Sequence, residues 1–408
     1  MDMIPLFHNK HIVLGVCGGI AAYKTADLAS KLTQAGALVD CILTESATKF
    51  IGPVTFAAVT GRAALTDADL WRTDAHVPHV QLGESADLTI IAPATANTLA
   101  KLAHGQADNM LSVVALAARC PIILVPAMDG GMWSNAATQA NVETLRQRGF
   151  HVCGPAMGRM ASGLVGAGRM EEPADILGFA RVVLGKRSAF SGQKIVVTAG
   201  GTHEAIDPVR FIGNRSSGKQ GFAIAQAAID RGADVTLIVG ASALPTPFGV
   251  TRINVESAQQ MCEAVLAASR EADALVMAAA VADFQAASQA DQKIKKTKDT
   301  VDLEVKLVRT PDILQAVKEQ REKTSGPRVT IGFAAETQNL LANATSKLHS
   351  KGLDLIIAND VSASDAGFAV DTNRVTLLDA GGGVEPLPIM SKAQVAEHVL
   401  NRLAALLK

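Results

Sequence analysis

HIVLGVCGGI, residues 11–20, is an apolar run that breaks off at paired glycines, and KIVVTAGG, residues 194–201, repeats the pattern half a chain later. A short Val- and Ile-rich run without polar alternation suits a strand buried on both faces, as in a parallel sheet covered by helices. Working outward from the first run, Leu38–Leu43, Asp87–Ala92 and Pro121–Val125 read as further strands, with Ile20–Ala35 and Asn135–Arg148 as helices between them. From the second, Asp234–Val239, Asp273–Ala279, Val329–Phe333 and Leu353–Ala358 read as strands, and Gly221–Arg231 and Ser257–Ser269 as helices. Arg374–Leu378 reads as a late strand and Lys392–Leu407 as a closing helix. This alternation predicts two doubly wound, Rossmann-like α/β domains, each with a ligand site at the C-terminal ends of its strands. The polar stretch LGKRSAFSGQ at 184–193 interrupts the periodicity, so the expected domains are 1–188 and 189–408.

Composition narrows the function classes. The chain has 408 residues, of which 48% are hydrophobic and 19% charged, so a sizeable core is available and wholesale disorder is excluded. Lys plus Arg number 38 against 39 for Asp plus Glu, which excludes a globally basic nucleic-acid binder. With 2 Trp, 1 Tyr and 12 Phe, the chain is poor in base-stacking platforms. Its 5 cysteines include no C-x-x-C pair, which supports neither a disulfide framework nor a Cys-rich zinc site, and a reducing cytoplasm is expected. MDMIPLFHNK lacks the basic and apolar regions of a signal peptide. The longest apolar candidate, Val113 to Met128, is broken by Arg119, Pro121 and Pro126, so no membrane span is expected.

Several strand ends carry residues with chemistry. Gly18 and Gly19 let the first strand turn into a helix whose free N–H groups would face an anion, though a plain tight turn reads equally well. Thr95 and Asn97 follow a buried strand, where they can both cap a helix and meet a ligand. The loop Pro126 to Trp133 carries Asp129, two glycines and a Trp, and reads either as a lid over a flat ring or as a packed connection. His79 is a residue type able to act as a general base near neutral pH, and equally an ordinary capping or surface histidine. Gly200 to Gly221 is dense in Gly, Ser, Asn, Arg and His, which favours substrate contact over a solvated connector. Gly213 and Gly218-Lys219 reproduce the G-x-x-x-x-G-K spacing, but Gln220 replaces the Ser or Thr that would hold magnesium, and the Arg-Phe-Ile run before it is short for a strand. Lys293 to Lys298 holds four lysines in six residues, a solvated loop or a triphosphate clamp. The alternation of Val301, Leu303, Val305 and Leu307 after it predicts a half-buried strand. Lys347 and Lys351, four apart on one helix face, add charge to the same site.

Taken together, these motifs resemble the bifunctional phosphopantothenoylcysteine decarboxylase/phosphopantothenate–cysteine ligases of coenzyme A synthesis. GGIAAYK (18–24), PATANT (93–98) and PAM-x-x-x-MW (126–133) are similar to flavin-dependent cysteine decarboxylases. TAGGTHEAIDPVRFIGNRSSGKQG (198–221), AAVADF (279–284), KIKK (293–296), GFAAET (332–337) and ANDVS (358–362) are similar to the ligase half. The ordered set covers essentially the whole chain. The resemblance implies an N-terminal flavoprotein domain with FMN held around Gly18, Gly19, Thr95 and Asn97, and His79 as the catalytic histidine. Oxidation of the substrate thiol would give a thioaldehyde, an electron sink that lets the adjacent carboxylate leave as carbon dioxide. In the C-terminal ligase domain, CTP with Mg2+ would activate 4'-phosphopantothenate as an acyl cytidylate, which cysteine attacks. Asn214 matches the residue associated with converting the acyl cytidylate. Met277, Ala278, Ala279, Asp283, Lys293, Thr310, Pro311, Asp312, Ile313, Phe333, Lys347 and Lys351 match CTP-contacting positions, with Lys293 also expected to be catalytic. Metal ligands are not legible. The resemblance further implies flavoprotein trimers joined through ligase dimers, up to a dodecamer.

Two positions depart from the family pattern. Asp129 stands where an Asn binds the substrate carboxylate, and Ser162, in GRMASGLVGAGRM (158–170), stands where a Cys protonates the enethiolate. An ionised Asp repels a carboxylate, and serine is a far weaker acid than cysteine. A second reading follows: the chain is a ligase only, its first half a flavin-binding assembly module. A nicotinamide oxidoreductase is a third, opposed by the absence of G-x-G-x-x-G in either half.

Overall fold

The computed structural model describes residues 5–71, 78–160, 162–295, 303–336, 338–360 and 370–408. It divides into two compact units, Met1–Leu184 and Gly185–Lys408.

The first unit runs β1 (His11–Val16), α1 (Ala22–Gln34), β2 (Leu38–Leu43), α2 (Pro53–Thr60), α3 (Pro78–Ser85), β3 (Leu88–Ala94), α4 (Ala96–His104), α5 (Met110–Ala117), β4 (Ile122–Pro126), α6 (Gly130–Trp133), α7 (Ala136–Gln147) and β5 (His151–Val152). A hairpin, β6 (Ala156–Arg159) and β7 (Val165–Arg169), precedes α8 (Pro173–Gly185). Strands β1 to β5 form one parallel sheet in the order β2-β1-β3-β4-β5. Strand side chains alternate between faces, and both faces are covered. Ile12 and Leu14 of β1 enter one core with Leu28, Leu32 and Phe56, while Val13 enters the other with Leu99, Leu111 and Leu124. Every residue of β3 is buried as a result. Each large side chain so buried contributes about 1.5–3 kcal/mol relative to exposure. The order reverses between β1 and β3, and doubly wound sheets bind ligands at that kind of crevice.

The second unit runs β8 (Lys194–Ala199), β9 (His203–Ala205), β10 (Phe211–Gly213), α9 (Lys219–Asp230), β11 (Asp234–Val239), β12 (Thr251–Asn254), α10 (Ala258–Ser269), β13 (Ala274–Met277), β14 (Phe284–Ala286), β15 (Leu307–Arg309), α11 (Ile313–Arg321), β16 (Val329–Glu336), α12 (Leu340–Ser350), β17 (Leu355–Asp360), β18 (Thr372–Asn373), β19 (Val375–Asp379), β20 (Val384–Pro386), β21 (Met390–Ser391) and α13 (Lys392–Leu406). Its main sheet has the order β12-β11-β8-β13-β16-β17-β19-β20. The pairings are parallel from β12 to β17 and antiparallel to β19 and β20. Here the order reverses beside β8. Capping boxes start α10 (Ser257 with Gln260) and α13 (Ser391 with Gln394), each satisfying N–H groups at a helix start.

Two local expectations change. Phe211–Gly213 is a strand after all, pairing antiparallel with His203–Ala205 in a ribbon outside the main sheet. The alternation at 301–307 does not give a half-buried strand. Val301 lies outside the described residues, Leu303 and Leu307 are exposed, and the strand there, β15, pairs only with β14. A two-stranded ribbon offers no core face for alternate residues to enter. Among the described residues no helix is long and apolar enough to cross a membrane. All five cysteines are free, and four of them are buried.

Candidate functional site

A cavity of about 940 Å³ opens at the strand ends where the first sheet reverses, within the usual range for small-molecule sites. Gly18 and Gly19 line it from the turn after β1, and Thr95, Ala96 and Asn97 from the turn after β3. Thr95 caps α4: its hydroxyl oxygen accepts from the Thr98 N–H at 3.2 Å. The earlier N–H groups of α4, on Ala96 and Asn97, have no partner within the helix and lie beside the positive end of its dipole. Gly18 is forced by close approach, because a Cβ there would lie 2.8 Å from the Ser46 carbonyl carbon, whereas a Cβ at Gly19 would meet nothing within 4 Å. Buried Cys17, at the same turn, takes a hydrogen bond from the Thr98 hydroxyl at 3.2 Å, and burial pushes its thiol up to about 11. This cradle fits a phosphate-bearing cofactor.

The opposite wall is built from the segment after β4 and the β6–β7 hairpin. Gly168 brings them together: the Met128 N–H donates to its carbonyl at 2.9 Å, and a Cβ on Gly168 would lie 2.4 Å from the Met128 oxygen. The approach sets Ser162 against Asp129. The Ser162 hydroxyl donates to Asp129 Oδ2 at 2.6 Å, and the Gly131 N–H donates to Oδ1 at 2.9 Å. Both bonds favour the ionised form, so the Asp129 carboxyl is held below its usual range, Ser162 being the larger cause. The loop is not a lid with a ring-stacking Trp. It folds into α6, capped by Asp129, and Trp133 packs on the sheet's core while Met128 and Met132 face the cavity. His79 sits in the first turn of α3, does not line the cavity, and its buried Nδ1 has no partner among the described residues.

The second unit has its own cavity, about 560 Å³, at the strand ends beside β8 and β13. Its lining includes Asn214, Met277 to Ala279, Asp283, Thr310 to Ile313, Phe333, Lys347 and Lys351. The wall is fixed by hydrogen bonds between elements. The Asn214 amide donates to the Val281 carbonyl at 2.9 Å, and the Thr310 hydroxyl to that of Ala282 at 2.6 Å. Thr198, fully buried on β8, accepts the Ala279 N–H at 3.0 Å. Lys347 donates to the Phe333 carbonyl at 3.1 Å, and Lys351 pairs with Asp312, the cap of α11. Burial tends to raise the Asp312 carboxyl, but Lys351 and the Gln315 N–H outweigh it and hold it low.

Lys293 is exposed and does not line this cavity, and Lys296 and Lys298 lie outside the described residues. The loop carrying Lys293 is nevertheless anchored. Asp207, whose side chain is fully enclosed, accepts the Ile294 N–H at 3.1 Å, while Arg210 donates to the Ile294 carbonyl at 3.2 Å and pairs with Asp207 at 3.0 Å.

Comparison with known proteins bears directly on these two sites. A model described as Flavoprotein matches residues 7–184, and one described as DNA/pantothenate metabolism flavoprotein C-terminal domain matches residues 190–407. Three relatives are each called coenzyme A biosynthesis bifunctional protein CoaBC. That of Vibrio vulnificus is 43% identical over 399 residues, covering 98% of both chains. That of Bacillus subtilis is 44% identical over 406 residues, covering 99% of this chain and 98% of its own. That of Mycobacterium tuberculosis is 45% identical over 409 residues, covering 98% and 97%. The chain belongs to the CoaBC family.

One cavity falls within each half matched to the CoaBC family's domains. Sequence reasoning assigned no role to several cavity residues, Asn359 among them although it lies in the ANDVS motif. Asn359 and Asn373 line the second cavity, and each keeps a buried Oδ1 without a partner among the described residues. Lys392, 6% exposed, lines the same cavity, and burial lowers its ammonium's pKa, helped by Lys219 and opposed by Asp371. The Ser391-x-x-Gln394 capping box was the available signal, since it starts α13 at Lys392 and sets that residue at the helix entrance.

Proposed function

We propose that this CoaBC-family chain makes 4'-phosphopantetheine in two steps, ligation in residues 189–408 and FMN-dependent decarboxylation in residues 1–188. The carrying observation is one cavity at a strand-order reversal in each half of a chain that aligns end to end with bifunctional relatives. In the ligase half, a carboxylate oxygen of 4'-phosphopantothenate attacks the α-phosphorus of CTP and pyrophosphate leaves. The cysteine amine then attacks the acyl carbon of the cytidylate, CMP leaves, and the amine loses a proton. Lys347 and Lys351 supply positive charge at the cavity wall, where it stabilises the phosphoryl oxygens. Asn214 spends its amide N–H on Val281, so its Oδ1 remains able to accept from the incoming amine. Mg2+ enters as the counter-ion of CTP.

In the first half, Gly18, Gly19 and the entrance of α4 hold the FMN phosphate, with Thr95 and Asn97 beside it. Bound there, FMN would supply a reversible two-electron couple, taking electrons from the substrate thiol and returning them to the decarboxylated product, so that the overall reaction is redox-neutral. Asp129 and Ser162 close the wall opposite and face the substrate's reacting end. His79 and Lys293 both lie off the cavities of their own chain. A neighbouring copy supplies them in the expected assembly, flavoprotein trimers joined by ligase dimers, up to a dodecamer, in the cytoplasm. The partners are thus 4'-phosphopantothenate, cysteine, CTP and further copies of this chain.

Incubating the purified protein with 4'-phosphopantothenate, cysteine, CTP and Mg2+ tests both steps. Pyrophosphate and carbon dioxide are both expected. Absence of pyrophosphate defeats the ligase reading. Phosphopantothenoylcysteine accumulating without carbon dioxide leaves a ligase with a flavin-binding assembly module, the second reading that the charged Asp129 favours. A visible spectrum separates bound flavin from the nicotinamide alternative.

A further inference from the structure

Four of the eight charged residues lining the first cavity, Lys24, Lys101, Asp108 and Arg169, sit in ion pairs. Lys24 pairs with Glu172 at 2.5 Å and Lys101 with Asp108 at 2.8 Å, and Arg169 reaches the same Glu172 at 3.4 Å. Asp67 accepts the N–H groups of Met110 and Glu45. Asp129, like Asp67, has no cationic partner among the described residues, and it is held by a hydroxyl and a backbone N–H. Arg159 lines the same cavity but forms no ion pair with Asp129. No ion pair among the described residues neutralises the negative charge at that wall.

Ser162 is tied into the same arrangement. Its proton is committed to Asp129 at 2.6 Å, so toward the cavity the hydroxyl presents lone pairs. The two side chains together form an acceptor-only, anionic wall. Such a wall welcomes a neutral or donating group and repels a carboxylate.

We infer that the Asp129–Ser162 pair is a charge discriminator, which sets this cavity to hold a ligand ending in a neutral thiol in preference to the same ligand still bearing its carboxylate. The inference rests on the decarboxylase reading of the first half. In that reading the C–C bond to the carboxylate breaks, its electron pair passes to the sulfur of the oxidised thiol, and carbon dioxide leaves. Negative charge departs from the carboxylate in that step, so repulsion present in the ground state is relieved in the transition state. Ser162 is then a positioning residue that fixes the Asp129 rotamer, and the proton for the product comes from another group or from water.

Binding measures this directly. Calorimetry on the flavin-loaded full chain compares 4'-phosphopantetheine with phosphopantothenoylcysteine, for the natural protein and for Asp129→Asn. Two unit charges about 4 Å apart in a water-like medium change affinity by roughly five- to tenfold. The natural protein is expected to favour the thiol by about that factor, and Asp129→Asn to abolish the preference. The same variant should lower KM and kcat for decarboxylation together, whereas a merely structural loss would lower kcat without tightening KM. Ser162→Ala should weaken the discrimination, and Ser162→Thr, which keeps the hydroxyl, should retain it. An equal preference in the natural protein and Asp129→Asn overturns the inference. Failure of either ligand to bind either protein overturns the decarboxylase reading and the inference with it, whereas tight binding of both without discrimination overturns the inference alone.

Discussion

Gly18 and Gly19 are neighbours with opposite surroundings, and the contrast separates folding from cofactor binding. A Cβ on Gly18 would lie 2.4 Å from the Ser46 Cβ and 2.8 Å and 2.9 Å from its carbonyl carbon and oxygen. Backbone cannot yield as the tip of a flexible side chain does. Gly18→Ala should therefore cost about 1–3 kcal/mol, the usual range for overpacking. For a unit of this size that lowers the Tm of the flavin-free protein by about 2–12 °C. A Cβ on Gly19 meets nothing within 4 Å, so Gly19→Ala should leave flavin-free stability within about 0.5 kcal/mol. The space it fills is the cavity itself. If the FMN phosphate rests on this turn, the methyl group displaces it, and a loss of about 1.4–2.8 kcal/mol weakens FMN binding ten- to a hundredfold. Thermal melts of flavin-free protein, with fluorescence titration by FMN, give both numbers. FMN binding to Gly19→Ala at natural affinity would refute the placement of the phosphate. An unchanged Tm for Gly18→Ala would refute the packing argument.

Other outcomes test the second unit. Thr198→Val keeps the shape of a fully buried side chain but strands the Ala279 N–H, so stability should fall by about 1–3 kcal/mol and KM for CTP should rise with flavin content unchanged. Urea melts and CTP-dependent pyrophosphate release report these, and a natural KM would count against Ala279 as a CTP contact. Asp207→Asn releases the Ile294 N–H and so loosens the lysine loop; ligation kcat should fall about ten- to a hundredfold while decarboxylation of supplied phosphopantothenoylcysteine stays put. Ligation within about twofold of natural would sink that link. Burial lowers the folded-state pKa of Lys392 below its ordinary 10.5, so the unfolded chain binds more protons between the two values. Stability should then rise with pH across that window, and Lys392→Met should flatten the rise in denaturant melts taken from pH 8 to about 10.5.

The main strands were legible because burial on both faces writes itself as an apolar run. Lys194–Ala199 and Asp234–Val239 have the same bounds in sequence and structure for that reason. Phe211–Gly213 was not legible, since three residues carry no period and its partner strand supplies the register. Alternation misled at 303–307 because period two says which side chains share a face and nothing about whether a core covers it. At the first site, the strand-end positions of Gly18, Gly19, Thr95 and Asn97 followed from the alternation of elements. The bond between Asp129 and Ser162 did not, because 33 residues separate them and a hairpin brings them together. The position of Lys293 away from its own chain's cavity was likewise invisible, since a charge run specifies no direction.

The buried cysteines have a consequence for a protein proposed to handle thiols as substrate and product. Burial pushes Cys17 up to about 11 and Cys41 and Cys153 up to about 12, and raises Cys120 and Cys262 as well. At neutral pH the buried Cys17 thiol therefore keeps its proton, and the thiolate is the form that attacks a disulfide. The four buried thiols are thereby kept in the form that free cysteine or its oxidised dimer does not couple to.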